Sequence, residues 1–376
     1  MENYTVPHPM ERPDYVFYHT PTIMEMRLRA VQAIRDFLSI QWRTHKKIAH
    51  NKVGPVSHKR FIYEADNTYA GIPYSDAGKG LFQFFEYYDE ATGRLQFYED
   101  GVSFNQNIGG TCACGVCWSL ATVCSSVSGC FINFYMTPKN GYYPVGDFKI
   151  PEDLDDYRKG CHTSAIIAEY GAETILEAYT KTRPGDALCS SDKDHTMMII
   201  EEPEVVRDEN GRIIPDQSAL IIADQQGGKG VGFYDERVED ELLHHLGRTR
   251  FRYPFDQLLK MCYIPVSPAE FQGKKPYERA KITLTLNPTT REELAKTEVL
   301  SNYPMAIVKL YLEQENGHRT LLDRYCFNRR DPHSGLARRY PLERMKDAIL
   351  AAEGKAILLE VTASNGEVLR PAIVEL

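Results

Sequence analysis

The sequence contains no apolar run long enough to cross a membrane. A membrane-spanning helix needs roughly 18 or more consecutive apolar residues, and every apolar stretch of this 376-residue chain is shorter. The N-terminus also lacks a basic segment followed by an apolar segment, which is the pattern of a secretory signal peptide. We therefore expect a protein that has no membrane span and is located in the cytoplasm.

The chain also lacks the cysteine pattern of a disulfide-bonded protein and lacks an excess of positive charge. Its nine cysteines are an odd number in a long chain, which argues against a disulfide framework and favours a reducing compartment. A net charge of −8 provides no general attraction to nucleic acid or to an anionic membrane. Internal repeats and low-complexity segments are absent as well. The function must therefore be sought in local motifs.

A helix is predicted near the N-terminus. Thr22 and Glu25 form the Thr-x-x-Glu pattern of a capping box, which is typical of the first turn of a helix. Apolar residues at roughly helical spacing extend this prediction over residues 21–45. We assign the helix to an N-terminal extension, residues 1–58, that precedes the main domain.

A change in composition marks a domain boundary near residues 267–281, which are rich in proline, lysine and glycine and are typical of a linker. After this stretch apolar and polar residues alternate, as in strands that are buried on one face. We predict a small β-rich domain over residues 281–376, with one helix near residues 341–352. The main domain, residues 59–268, contains the motifs that carry chemistry.

Five of the nine cysteines lie in one stretch, GGTCACGVCWSLATVCSSVSGC, from Gly109 to Cys130. A structural zinc site needs four converging ligands, usually from two separate cysteine pairs. The second pair is missing here, so no metal or other cofactor is expected, although a metal-binding cysteine cluster remains an alternative. Because free cysteines are often buried, most of the nine are expected to be core residues. One of them is left as a candidate nucleophile.

Cys117 is the first choice for that nucleophile. A cysteine reacts as its thiolate, and a helix N-terminus lowers the pKa of a thiol placed there. We predict a helix that begins at Trp118, which would put Cys117 at its start and Trp118 beside the reacting groups as a shield against water. The segment CGVCW differs only at Val116 from the pattern around the papain nucleophile. Cys112 and Cys114 remain alternatives.

The base that would serve this thiol is predicted to be His195. It opens the apolar run HTMMII, which predicts a buried strand with the ring at the strand's end. Asp224 ends the run SALIIAD, which we predict to be the antiparallel neighbour of the first strand. A polar residue on such a neighbour could orient the imidazole, as in Cys-His-Asp enzymes. Gln225 is the alternative orienting residue.

The order of these motifs resembles the NlpC-type cell-wall peptidases, a branch of the papain-like fold. The matching segments are, in chain order, YAGIPYS, GVCWSL, RPGD, DHTMMIIEE and IIADQQ. In that family an aromatic-Gly-x-Pro-Tyr stretch precedes the nucleophile, and a Pro-Gly-Asp turn leads into the strand of the catalytic His. The resemblance implies that Tyr74 is the motif tyrosine, Cys117 the nucleophile, His195 the base and Asp224 its partner.

The sequence departs from the family pattern at several positions. Asp224 lies farther beyond His195 than the family's third residue does, and Val116 and Trp118 flank the cysteine in place of the usual polar and small residues. The segment GVCW also resembles the transglutaminase-like proteins, in which a Trp-bearing strand follows the His strand. This chain has no tryptophan after Trp118, which argues against that family.

These observations predict an α+β protein: a papain-like, NlpC-type cysteine hydrolase domain with an N-terminal helical extension and a C-terminal β-rich domain. The resemblance implies hydrolysis of an amide bond in a peptide with a γ-D-glutamyl linkage, such as a peptidoglycan fragment. Tyr74 and Trp118 are expected to contact that substrate. A catalytically inactive papain-like binding module and a metal-binding cysteine cluster remain the alternatives.

Overall fold

The computed structural model describes residues 9–51, 60–75, 77–96, 108–127, 136–152, 162–225, 244–327 and 338–376. These residues form a mixed α/β structure with several sheets. Among them no helix combines the length and the apolar character needed to cross a membrane. The helices are α1 (Ile23–Ser39), α2 (Leu81–Phe85), α3 (Cys112–Ala121), α4 (Thr163–Tyr170), α5 (Ala172–Thr180), α6 (Phe255–Lys260), α7 (Arg291–Ala295) and α8 (Lys346–Leu350).

The strands belong to one large central sheet, one C-terminal sheet and several short sheets. In chain order they are β1 (Gln41–Trp42), β2 (Ile48–Asn51), β3 (Arg60–Tyr63), β4 (Tyr69–Ala70), β5 (Tyr88–Asp89), β6 (Arg94–Leu95), β7 (Tyr142–Pro144), β8 (Ala187–Ser190), β9 (His195–Ile199), β10 (Ala219–Gln225), β11 (His244–His245), β12 (Gly247–Pro254), β13 (Ile264–Pro268), β14 (Ile282–Leu284), β15 (Glu298–Ser301), β16 (Met305–Glu313), β17 (Arg319–Cys326), β18 (Arg339–Pro341), β19 (Ala356–Ala363) and β20 (Val368–Glu375).

The central sheet has six strands in the order β12-β10-β9-β8-β13-β7, and its neighbours pair antiparallel. Strands β8, β9 and β10 are almost wholly buried, which accounts for their continuous apolar sequences. The predicted antiparallel pairing of β9 with β10 is confirmed, with Ile199 opposite Ile222 and Met198 opposite Ala223. Helix α3 packs against β9, β10 and α1, so the cysteine cluster lies directly on the strands of His195 and Asp224.

Helix α1 belongs to the main core and not to a separate extension. Its predicted capping box is confirmed: the backbone N–H of Glu25 donates to the Thr22 hydroxyl at 3.2 Å, and the Glu25 carboxylate accepts from the Thr22 N–H at 2.7 Å. The helix ends at Ser39, earlier than residue 45. Ile34 and Phe37 are buried in the same core as the central sheet. The sequence boundary at residue 58 therefore does not separate two cores.

Arg27 of α1 also connects this helix to the predicted Pro-Gly-Asp turn. Its guanidinium donates to the Asp186 carboxylate at 2.7 Å and to the Pro184 carbonyl at 3.0 Å, with both charged groups buried. The turn leads into β8 and not directly into the His195 strand as expected, because β8 lies between the turn and β9. After Thr163 the chain forms two helices, α4 and α5, which meet at Gly171, whose φ of +83° is accessible to glycine at little cost.

The C-terminal part is β-rich, as predicted, with the sheets β14-β15-β18 and β17-β16-β19-β20. The helix expected near residues 341–352 is a 3-10 turn followed by α8. This part shares its core with α3: Cys114 and Trp118 pack into the cluster formed by the C-terminal strands. In addition, the Ser364 hydroxyl donates to the Ala121 carbonyl at 2.6 Å. The C-terminal sheet therefore covers one side of the cysteine helix.

This shared core predicts that a chain truncated after Gln272 will not fold cooperatively, because Trp118 would lose its apolar partners and the Ala121 carbonyl at the end of α3 would lose its donor. Urea denaturation followed by tryptophan fluorescence and far-UV circular dichroism is the measurement. As a graded comparison in the full chain, Ser364→Ala should cost about 1 kcal/mol of unfolding free energy, since one hydrogen bond to Ala121 is lost. A cooperative transition in the truncated chain, with an unchanged midpoint, would show that the C-terminal part is independent.

Candidate active site

The cysteine helix begins at Cys112, five residues before the predicted nucleophile. Thr111 is its N-cap, with extended backbone angles and a hydroxyl that accepts from the Cys114 N–H at 3.4 Å. Gly110, the residue before this N-cap, is held against the segment that contains Tyr74, since the Gly110 N–H donates to the Pro73 carbonyl at 3.0 Å. The backbone N–H of Cys112 lies in the first helical turn, where the helix offers it no acceptor.

Glycine is required in the approach to this helix. Gly109 has a φ of +102°, and a Cβ there would lie 2.4 Å from the Pro73 carbonyl oxygen and 2.5 Å from the Ser75 hydroxyl. Its carbonyl accepts from the Lys79 N–H at 2.8 Å. Pro73 and Lys79 are therefore held against the start of α3 by close backbone contacts, which place Tyr74 next to Cys112.

The Cys112 thiol lies between an imidazole and a phenol. It is hydrogen-bonded to the His195 ring and to the Tyr74 hydroxyl. Its sulfur is also 4.0 Å from the Asp194 carbonyl oxygen, on the turn that precedes β9. Only 4% of Cys112 is exposed. A thiol in this position has a base within reach and stands at the positive end of a helix dipole.

His195 is held by Asp224, as the sequence predicts. The His195 Nε2 lies 2.6 Å from the Asp224 Oδ2, which leaves Nδ1 of the ring for the Cys112 sulfur. The two residues come from neighbouring strands, His195 at the start of β9 and Asp224 near the end of β10, and antiparallel pairing brings these two ends together. Asp224 is fully buried, and 19% of the His195 side chain is exposed.

Burial and the neighbouring charges shift the pKa values of Cys112 and His195 in opposite directions. Burial alone would raise the pKa of the Cys112 thiol, but the charge and hydrogen bond of His195 outweigh it and lower that pKa. Burial alone would lower the pKa of His195, but the Cys112 thiolate and the Asp224 carboxylate raise it. The arrangement therefore favours a thiolate beside an imidazolium over a neutral thiol beside a neutral imidazole.

The expectation that Cys117 stands at the start of the helix and faces His195 is wrong. Thr111 is the N-cap and Cys112 the first helical residue, so Cys117 lies in the middle of the helix, about 140° around its axis from Cys112. Its sulfur accepts a hydrogen bond from the Tyr142 hydroxyl at 3.3 Å and is buried near Cys189, in the direction of β7 and β8.

Trp118 does not shield the reacting groups. It lies about 120° around the helix axis from Cys112, and its indole N–H donates to the Gly78 carbonyl at 3.1 Å. Its ring packs with Cys114 in the C-terminal core. The expectation that Trp118 contacts substrate therefore fails for the same reason as the expectation for Cys117: the true start of α3 turns both side chains away from the sheet edge.

The other members of the cysteine cluster point in different directions. Cys114 accepts from the Thr111 hydroxyl at 3.2 Å. Cys124 is buried next to Glu270, and both burial and that carboxylate raise its pKa. Cys130 lies outside the described residues. Within the described ranges, no group of three or more His, Cys, Asp or Glu side chains is placed to hold a metal ion.

The alternative orienting residue, Gln225, faces away from His195. Its amide donates to the Ile72 carbonyl, on the other side of β10 from the Asp224 side chain. Two neighbours of the His195–Asp224 pair are not marked by the sequence. Arg248 forms two hydrogen bonds with the Asp224 carboxylate, and Tyr263 is buried with its ring 6.4 Å from that of His195. No local motif marks either residue, because sheet pairing and a turn bring them to the site.

Comparison of the chain with protein-family models, curated proteins and solved structures gives no match. The chemistry of the site must therefore be argued from its geometry. Of the seven described cysteines, that geometry identifies Cys112 as the partner of the His195 imidazole.

This geometry predicts that Cys112 alone will alkylate rapidly at mildly acid pH. Because His195 stabilises the thiolate, labelling by iodoacetamide at pH 6 should exceed that of an ordinary thiol, with a pKa of roughly 8.5, by about tenfold or more. Peptide mapping by mass spectrometry locates the label. Cys112→Ser should abolish the rapid phase, and the matched Cys117→Ser should leave it unchanged. Rapid labelling that disappears with Cys117→Ser would contradict the site.

Proposed function

We propose that this protein is a papain-like cysteine hydrolase that cleaves an amide bond, with Cys112 as nucleophile, His195 as general base and acid, and Asp224 as the residue that orients the imidazole. The observation that carries the proposal is the continuous chain from the Cys112 thiol through His195 to Asp224. Nucleophile, base and orienting carboxylate in hydrogen-bond reach are the arrangement used for acyl transfer.

The fold supports this chemistry. The nucleophile stands at the N-terminus of a buried helix, and that helix packs on two antiparallel strands that supply the other members of the chain. This arrangement resembles the papain-like fold. The short motifs keep the order of the NlpC-type family around the revised nucleophile: the Tyr74 segment, the cysteine helix, the Pro-Gly-Asp turn, the His195 strand and the Asp224 strand.

The acylation half of the mechanism starts from the thiolate and imidazolium pair. The Cys112 sulfur attacks the carbonyl carbon of the scissile amide and forms a tetrahedral intermediate. The backbone N–H of Cys112, at the helix N-terminus, is placed to stabilise the oxyanion. His195 then transfers its proton to the leaving nitrogen, the C–N bond breaks, and an amine departs from a thioester on Cys112.

The deacylation half uses the same residues in reverse. Neutral His195 removes a proton from a water molecule, which attacks the thioester carbonyl. The second tetrahedral intermediate collapses with loss of the Cys112 thiolate, and a carboxylic acid is released. Asp224 remains an anion throughout and holds the ring in the orientation that both proton transfers need.

The substrate proposed is a peptide with a γ-D-glutamyl amide bond, as in peptidoglycan fragments. The motif order supports this class, and so does Tyr74, which occupies the position of the family's motif tyrosine and contacts Cys112. Burial strongly raises the pKa of Tyr74, and the nearby Cys112 raises it further, so the phenol stays protonated and can donate a hydrogen bond to the reacting group.

The prediction for activity is hydrolysis of L-alanyl-γ-D-glutamyl-diaminopimelate, measured by liquid chromatography of the released products. Cys112→Ala and His195→Ala should each reduce kcat/KM by about a thousandfold or more, because each removes a group that acts in the transition state. Cys117→Ala is the matched control and should retain activity. The α-linked isomer of the same peptide tests the linkage.

Two results would contradict the proposal in different ways. No turnover of either isomer, together with an ordinary pH profile for Cys112 alkylation, would indicate a catalytically inactive binding module. Turnover of the α-linked peptide alone would retain the hydrolase and remove the γ-glutamyl substrate class.

A further inference from the structure

Arg248 is a buried arginine next to the proposed catalytic chain, and the mechanism above does not use it. Its Nε donates to the Asp224 Oδ1 at 2.7 Å and its Nη2 donates to the Asp224 Oδ2 at 2.7 Å. The same Oδ2 accepts the bond from His195. Only 8% of Arg248 is exposed, and its guanidinium lies 4.4 Å from the centre of the Phe251 ring.

The backbone places this arginine opposite Asp224 through an irregularity in strand pairing. Ile222 of β10 pairs with Phe251 of β12, but Asp224 pairs with Arg248, so β12 contains one extra residue between the two pairs. A β-bulge of this kind redirects a side chain and is common next to active sites. The bidentate geometry follows from this register, since both oxygens of the carboxylate face the planar guanidinium.

We propose that Arg248 is a positioning residue, which acts through Asp224 to keep that carboxylate charged and directed at His195, so that the thiolate and imidazolium pair persists at neutral and mildly acid pH. This inference rests on the proposed function. Arg248 becomes a fourth member of the hydrogen-bonded series Cys112, His195 and Asp224. It lies at the end opposite Cys112 and does not touch the substrate.

The charges support this role for Arg248. Burial alone would raise the pKa of Asp224, but Arg248 and, to a smaller extent, His195 lower it well below its ordinary range. Without the guanidinium, the fully buried Asp224 carboxylate would still be bonded to His195, but its pKa would rise and it would bind a proton much more readily. A protonated Asp224 would no longer stabilise the imidazolium, and the pair would shift toward neutral thiol and neutral imidazole.

Other titratable groups near Asp224, His195 and Cys112 cannot replace Arg248, because none of them is a cation at neutral pH. Tyr253 and Tyr263 are phenols whose pKa values are raised mainly by burial. Tyr74 is a phenol beside the Cys112 sulfur, and Asp194 is a carboxylate on the turn before β9.

The test is the pH profile of iodoacetamide labelling at Cys112, read by peptide mapping, in the full chain. Arg248→Met should slow labelling at pH 6 by about tenfold or more, which corresponds to a shift of at least one pH unit. Arg250→Met is the matched control, because Arg250 lies on the same strand as Arg248 and its guanidinium forms a bidentate pair with Glu201. Arg248→Lys, which restores the charge, should recover most of the rate at pH 6.

A second comparison tests whether Arg248 acts through Asp224, and it does not use the Arg248→Met single variant, in which a buried carboxylate loses its cation. In an Asp224→Asn background there is no buried carboxylate to stabilise, so adding Arg248→Met should change the labelling rate by less than about twofold. A large additional effect in this background would overturn the inference, and so would an unchanged profile in Arg248→Met alone. By contrast, an ordinary profile in the wild-type protein would contradict the proposed function itself.

Discussion

The hydrogen bond between the Thr111 hydroxyl and the Cys114 N–H fixes the first turn of α3, and the rest of the site depends on where that turn begins. A shift of the helix start by a few residues would rotate a different cysteine toward the sheet. With Thr111 as the N-cap, Cys112 faces His195 while Cys117 faces Tyr142. One capping interaction thus selects one reactive thiol from a group of chemically identical side chains.

The site is connected to the C-terminal sheet through the other side of the same helix. Trp118 and Cys114 are packed among C-terminal residues, and Lys79, on the segment that follows Tyr74, donates to the Cys326 carbonyl at 2.8 Å. Lys79 is buried, and burial lowers its pKa to about 8. The placement of Tyr74 and Cys112 therefore depends on residues that lie much later in the chain, although none of those residues takes part in the proposed chemistry.

Much of the architecture could be predicted because it is encoded locally. The capping box of α1, the apolar sequences of β9 and β10 and the turn before β8 each follow from short patterns. The two apolar runs predict His195 and Asp224 as a pair, and the structure joins them at 2.6 Å. The sequence does not reveal the nucleophile, because CGVCW is similar to the papain pattern while the helix begins earlier, with Thr111 as its N-cap.

Arg248 and the shared core could not be predicted, for a different reason. The position of Arg248 depends on a bulge in the pairing of β12 with β10, and the burial of Trp118 depends on a sheet that follows much later in the chain. Both are contacts between distant segments, which leave no periodic or motif-like trace in the sequence. The linker-like composition near residues 267–281 marks a change of sheets and, with few exceptions, of hydrophobic cluster, but Cys114 and Trp118 of α3 pack in the C-terminal cluster and join the two parts.

The most direct test of the central claim is to trap the acyl-enzyme. The protein is mixed with the γ-D-glutamyl peptide, quenched in acid within the first turnover and digested, and tandem mass spectrometry locates the added acyl group. Our account predicts a thioester on Cys112, formed in the Cys117→Ala variant and absent in Cys112→Ala. An acyl group on Cys117, or hydrolysis that proceeds normally in Cys112→Ala, would contradict it.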